Sequence, residues 1–285
     1  MSIIENSYTI SAGDWCAVAC PRLGANIISL TYRGRDVLVP LRDEAALATN
    51  PYLQGAPLLL PANRTYLGKF TFEGKEYTLP ITEPRTNSNL HGVLHRQAFT
   101  LISHSEREIV MSYSAGEEVY PFSFDITVTY KVDEGGLSQE FEITNTGKGR
   151  MPYTFSLHTT FTEPERFSLP VALRQENDKT DIPTGRYLPL SEQEKNYLFG
   201  SPSRGLNVTG YFTSAGNFAT VDGISYTVSD NFDYWIMYNG AGRGGFLCIE
   251  PQAGAVNGLN IEDGHKVLYP EERVTYTTRF SHIDK

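Results

Sequence analysis

Apolar and polar residues alternate along much of the chain. From Phe124 to Val132, the apolar Phe124, Ile126, Val128, Tyr130 and Val132 are separated by Asp125, Thr127, Thr129 and Lys131. A two-residue period marks a strand with one buried face. The run Asp133-Glu134-Gly135-Gly136 then turns the chain, and Leu137, Phe141 and Ile143 oppose Ser138, Glu140, Glu142 and Thr144. Two such runs joined by a glycine turn predict a hairpin. The same pattern recurs around Arg33-Gly34 and around Glu73-Gly74. Helical signals are short: residues 41–51, stopped by Pro51, and residues 191–195 each predict a turn or two. No longer stretch combines a 3.6-residue period with caps at both ends. Many short strands with frequent turn signals predict an all-β fold with little helix, a large antiparallel β-sandwich forming one domain over residues 1–285.

Composition narrows the function classes. Of 285 residues, 40% are hydrophobic and 12% aromatic, enough for a substantial core. The net charge of −9 and the absence of lysine or arginine runs argue against a nucleic-acid partner. The cysteines are Cys16, Cys20 and Cys248. They form no C-x-x-C pair and read as free thiols in a reducing compartment. The first fifteen residues lack a basic stretch followed by an apolar one, and no apolar run is long enough for a membrane span. The expectation is a soluble, cytoplasmic protein with no membrane partner.

Several polar residues stand out against the strand pattern. In MPYTFSLHTTF (151–161), parity puts Tyr153, Phe155, Leu157 and Phe161 on one face and Thr154, Ser156, His158 and Thr160 on the other. By parity alone His158 is an ordinary solvent-face histidine. In GGFLCIEPQAG (244–254), the continuous apolar run FLCI predicts a strand buried on both faces, with Glu250 at its end and Pro251 stopping the ladder. A carboxylate there is either solvated at a sheet rim or held in a pocket, where desolvation would raise its pKa and suit it to act as a base. Arg64 follows an apolar run, a proline and Asn63, and either caps a strand end or offers a fixed donor fork to a site. His91 and His95, in TNSNLHGVLHRQAF (86–99), raise the question of a metal. Gly92 disfavours the helix on which an H-x-x-x-H pair binds zinc. On a strand the two imidazoles would stand roughly 13 Å apart. No metal site is expected. Tyr234, Trp235 and Tyr238 offer aromatic faces suited to a sugar, but singly each reads as sandwich core.

Taken in order, these segments resemble the aldose 1-epimerase (galactose mutarotase) family. PANRTYLGKFTFEGKEYTLP resembles the family's NRI-x-x-G-x-F…G-x-x-Y-x-L stretch, and NSNLHG its N-x-LHG motif. MPYTFSLHTTF resembles P-x-x-x-G-x-HPYF, YWIMYNGAGRGGFLCIEPQAG the segment ending C-I-E-P-Q, and LYPEERVTYTTRF the closing L-x-PGE strand. The resemblance implies a β-sandwich with a sugar in a concave cleft. It implies Glu250 as base and His158 as acid, with His91, Arg64, Asn63 and Asn89 binding sugar. It makes His95 a bystander and implies neither cofactor nor metal. The partner would be a free monosaccharide, the assembly a monomer or homodimer, and the activity interconversion of α and β anomers by ring opening at C1.

Three departures mark a divergent branch. HPYF is HTTF here, and PGE is Pro270-Glu271-Glu272. The stretch RGLNVTGYFTS (204–214), where the family places a sugar-binding aspartate, has no acidic residue, leaving Asn207 or Thr209 as substitutes. Two other functions compete: a catalytically silent carbohydrate-binding protein, and a hexose-6-phosphate 1-epimerase using Arg64, Lys69, Arg85 and Arg96 for the phosphate. Residues 174–205 are rich in charge and proline and define no clear role.

Overall fold

The computed structural model describes residues 4–283. Two eight-stranded sheets dominate, and all their pairings are antiparallel. One sheet is built around Phe124–Asp133, Gly136–Asn145 and the closing strand Arg273–His282. The other runs from Pro183–Pro189 through Val171–Asn177, Gly210–Ser214, Tyr234–Tyr238 and Phe246–Ala253 to Phe155–Leu157 and Leu58–Leu59, with Thr160–Thr162 also paired to Phe246–Ala253. A four-stranded sheet, Tyr8–Ala12 to Arg35–Asp36, and three two-stranded ribbons complete the described strands.

The alternation seen in the sequence becomes the register. Phe124–Asp133 and Gly136–Asn145 pair from Phe124↔Asn145 to Asp133↔Gly136, with the apolar set of the first strand buried. At the other two hairpins both loop residues have positive φ: Arg33 at 50° and Gly34 at 71°, Glu73 at 50° and Gly74 at 77°. That is the type I′ geometry whose twist matches the strands it joins. The inner faces meet through aromatic pairs. Phe155 lies 5.0 Å from Tyr276, and Phe161 lies 5.9 Å from Phe280, measured between ring centroids. Burial of such rings is the main stabilising contribution available to a sandwich.

Helix is scarce, as the pattern predicts. Ala45–Thr49 forms one helical turn, and Glu192–Lys195 another behind a capping box of Ser191 and Glu194. Residues 174–205, unplaced by sequence, hold most of the hairpin Val171–Asn177/Pro183–Pro189 and this capped turn. No helix among the described residues is long and apolar enough to cross a membrane.

Candidate active site

The strand Phe246–Ala253 supplies the centre of the site. It is buried throughout, as FLCI predicts, but Pro251 does not end it. The strand continues to Ala253, pairing Trp235↔Pro251 and Ile236↔Glu250. Its other edge explains why. There Thr160 pairs with Cys248, and Ser156 with Gln252, while His158 and Thr159 fall in the gap between Phe155–Leu157 and Thr160–Thr162. The Ile249 amide donates to the Thr159 carbonyl across this edge. Two residues on, Pro251 faces the same edge where no ladder donor is required.

The gap also places His158. Its backbone amide donates to Pro57, and its ring turns towards Glu250, with Nε2 3.5 Å from Oε1. The parity read from the sequence is right, but the solvent-face reading of His158 is not. Both His158 and Glu250 are buried, at 6% and 2% exposure, because the second face of this sheet is the floor of a cleft. The sheet-rim alternative for Glu250 fails for the same reason. Burial pushes the Glu250 carboxyl up to about 8, a rise the Arg64 charge opposes, and pushes the His158 imidazole down to about 4. Between those values the pair holds one proton. Oε2 of Glu250 is buried without a hydrogen-bond partner.

The cleft has a volume of about 740 Å³. Asn63, Arg64, His91, His158 and Glu250 all line it. Arg64 is held as a fork: Nε and Nη2 donate to the two Glu83 oxygens at 2.7 and 2.9 Å, and Nη1 to the Tyr211 hydroxyl at 2.7 Å. Burial alone would lower the guanidinium, but the Glu83 hydrogen bonds outweigh it and hold it raised. Asn63, at φ 56°, accepts from the Arg64 amide with its side chain, and its carbonyl accepts from the His91 amide. His91 is buried, with Nδ1 unpartnered, and burial keeps its ring far below the ordinary range.

Asn89 stands apart from the cleft lining. Its amide donates to the Pro80 carbonyl at 2.8 Å and accepts from the Gly92 amide at 3.2 Å, so both ends are spent on holding the turn that carries His91. That turn is left-handed at two successive residues, His91 at φ 63° and Gly92 at φ 57°. A Cβ on Gly92 would meet the Leu60 carbonyl oxygen at 2.2 Å, so glycine is required there. A 3₁₀ turn, Leu94–Arg96, follows in place of an extended segment. The extended-chain spacing of His91 and His95 therefore does not apply: both rings pack on Tyr52, at 4.5 and 4.9 Å.

Sequence reasoning passed over Tyr52, Glu83 and Tyr211, which carry no periodic or motif signal. Of the proposed aspartate substitutes, Thr209 lines the cleft, while Asn207 is exposed and accepts from the Thr209 hydroxyl. Aspartates enter instead from the 171–189 hairpin, where Asp178 and Asp181 line the cleft and Asp181 pairs with Arg85. Of the three aromatics, Trp235 is core, Tyr234 hydrogen-bonds Tyr187, and Tyr238 is exposed in the cleft. One group of metal-type donors occurs among the described residues: His158, Cys248 and Glu250, with donor atoms within 4.8 Å of one another. Burial holds the Cys248 thiol well above its ordinary value, in its neutral form, and the set reads as a proton-sharing cluster.

Two antiparallel sheets under a broad cleft give this chain the fold of the galactose mutarotase-like proteins. One such protein from Clostridium acetobutylicum superimposes with a TM-score of 0.90 over 97% of this chain and 95% of its own, at 20% identity. The aldose 1-epimerase family model matches residues 6–281, and the chain belongs to that family. In sequence it is 29% identical over 186 residues to rat galactose mutarotase, covering 59% of this chain and 53% of that protein. It is 27% identical over 159 residues to the uncharacterised Escherichia coli K12 protein YihR, covering 55% of this chain and 50% of that protein. The chain thus spans about half the length of the curated relatives it matches.

Proposed function

We propose that this protein is a mutarotase: it interconverts the α and β anomers of a free aldose, with Glu250 and His158 moving the protons. The observation that carries the reading is the buried pair itself, 3.5 Å apart on the cleft floor. O1 and O5 of a pyranose are both bonded to C1, so the two protons to be moved sit on neighbouring atoms. Between pH 4 and pH 8 the resting pair carries its proton on Glu250, and the reacting form is the minor one in which that proton has moved to His158. In that form the Glu250 carboxylate takes the proton from the C1 hydroxyl. The O1 electrons form the carbonyl, the C1–O5 bond breaks, and O5 takes the proton from the imidazolium. This leaves Glu250 protonated and His158 neutral: the pair still holds one proton, now taken from O1, while the proton from His158 rests on O5. Rotation about C1–C2 presents the second carbonyl face, and the same steps in reverse close the ring as the other anomer. The pair ends as it began, and the cycle consumes no co-reactant. His91 and Arg64 line the cleft beside the pair, where their N–H groups are placed to hold sugar oxygens.

The charges lining the cleft favour a neutral sugar over a phosphorylated one. Three arginines line it, Arg64, Arg85 and Arg174, against six carboxyl groups. Each arginine is already engaged, with Glu83, with Asp181 and Glu83, and with Glu194 respectively. Lys69 and Arg96 lie outside the lining, and Lys69 pairs with Glu76. Each arginine's charge is thus matched by a carboxylate, so the lining offers no excess positive charge to a phosphate, while the remaining N–H groups of Arg64 can still donate to neutral sugar oxygens. Polarimetry of freshly dissolved α-glucose, galactose, xylose, arabinose and glucose 6-phosphate tests both points. Acceleration of a neutral sugar by wild type, reduced about 10²–10⁴-fold in Glu250→Gln, is the expected result. Sugar affinity by calorimetry without acceleration would instead make the protein a silent binder.

A further inference from the structure

We infer that Tyr52 is a positioning residue of this site: one aromatic wall against which His91, His95 and His158 are all held. The inference rests on the mutarotase reading for its kinetic consequence, but not for its geometry.

Four side chains from two loops and a strand break converge here. The Tyr52 ring meets His91 edge-on at 4.5 Å, His95 edge-on at 4.9 Å, and lies nearly parallel to His158 at 5.8 Å. His91 and His158 meet each other edge-on at 5.2 Å. Burial raises the Tyr52 hydroxyl and the Arg96 charge opposes that rise, while Arg96 Nε donates to His95 Nε2 at 3.1 Å. That donation makes His95 Nε2 an acceptor and leaves its proton on Nδ1. His95 is therefore a wedge: one nitrogen on Arg96 and its ring edge-on to Tyr52, in the turn that carries His91. The Tyr52 backbone is tied in as well. Its amide donates to Asn50 Oδ1 at 3.1 Å, and its carbonyl accepts at 3.5 Å from the Thr160 hydroxyl, which is also 3.4 Å from His158 Nδ1.

The arrangement has a chemical purpose that simple core packing lacks. An imidazole that transfers protons must keep its ring plane and one nitrogen aimed at the reacting oxygen, because small misplacements cost large factors in rate. His158 is approached from several elements. Glu250 and Cys248 approach it from the strand Phe246–Ala253, Thr160 from its own segment, His91 from the turn after Ser88–Leu90, and Tyr52 from the loop after Ala45–Thr49. Of these, Tyr52 is the flat surface that stacks on the ring. It is half-buried and lines the cleft, so the same wall keeps bulk water off the imidazole.

The test compares Tyr52→Phe, Tyr52→Leu and Tyr52→Ala with wild type. Polarimetry gives kcat and KM across pH, and NMR of the histidine ring protons follows His158 protonation in the sugar-free protein. Phe keeps the ring and should stay within about threefold of wild type in kcat. Leu keeps bulk without a flat face, and should lose about 10–100-fold in kcat, with a smaller rise in KM because Tyr52 also packs on His91. In Leu and Ala the His158 midpoint should move up from about 4 towards its ordinary 6.5 as water enters, while in Phe it should stay. Unchanged kcat and an unchanged His158 midpoint in both Leu and Ala would overturn the inference. A wild type inactive on every sugar would sink the mutarotase reading, while the NMR arm would still decide the role of Tyr52.

Discussion

Replacing Glu250 by glutamine should reverse the way stability depends on pH. The folded protein holds the Glu250 carboxyl at about 8, against an ordinary 4.5, because burial disfavours its charge. The folded state therefore binds this proton more tightly than the unfolded chain does. The resulting stabilisation is complete below pH 4.5 and lost as pH rises through about 8. The gap corresponds to roughly 5 kcal/mol, of which about 4 kcal/mol falls between pH 5 and pH 9. His158 acts in the opposite sense. Its pKa is lowered from 6.5 to about 4, so its contribution is present above 6.5 and lost as pH falls through about 4. Glutamine has nearly the shape of the carboxylic acid but cannot ionise. The variant should thus lack the alkaline loss and keep the acid one. Urea unfolding at pH 5, 7 and 9 measures this directly. Relative to wild type, Glu250→Gln should gain up to about 4 kcal/mol from pH 5 to pH 9, a Tm difference on the order of 10 °C. A constant difference between the two proteins at all three pH values would show the opposite, that Glu250 is not held protonated by burial.

Two further expectations concern the supports of the site. Glu83→Gln removes the charge that clamps Arg64 while leaving an oxygen acceptor. It should raise KM for the sugar about 10-fold with a smaller effect on kcat, since Arg64 is proposed to bind and not to transfer protons. Gly92→Ala would drive a methyl group into the Leu60 carbonyl from a backbone with φ 57°. It should destabilise by about 2 kcal/mol or more in chemical denaturation and displace His91.

What the sequence disclosed follows from which physical signals are local. The hairpin Phe124–Asn145 was legible because alternation and a glycine turn act over a few residues. So was the two-sided burial of Phe246–Ile249, because a short continuous apolar run is stable only where both faces of a strand are covered. Parity placed His158 on the correct face, but parity does not say what covers that face, and the cleft floor looked like solvent. Pro251 looked like a strand end because the break in its neighbour, between Leu157 and Thr160, is a long-range fact. Asn89 resembled a sugar ligand, yet it spends both ends of its amide on a turn, a division of labour visible only in three dimensions. Tyr52, Glu83 and Tyr211 belong to segments 50–53, 83–86 and 204–214, whose neighbours impose no period. For Glu83 and Tyr211, the contacts with Arg64 that give them importance span 19 and 147 residues of chain.

At the heart of the proposed chemistry is one proton shared by Glu250 and His158. The pH profile of kcat/KM for mutarotation probes that proton without intermediaries, because it reports the ionisations of the free enzyme. A shared proton requires a bell with its acid limb near pH 4 and its alkaline limb near pH 8, and loss of the alkaline limb in the residual activity of Glu250→Gln. A profile flat from pH 4 to pH 9, or an alkaline limb that survives in Glu250→Gln, would contradict it.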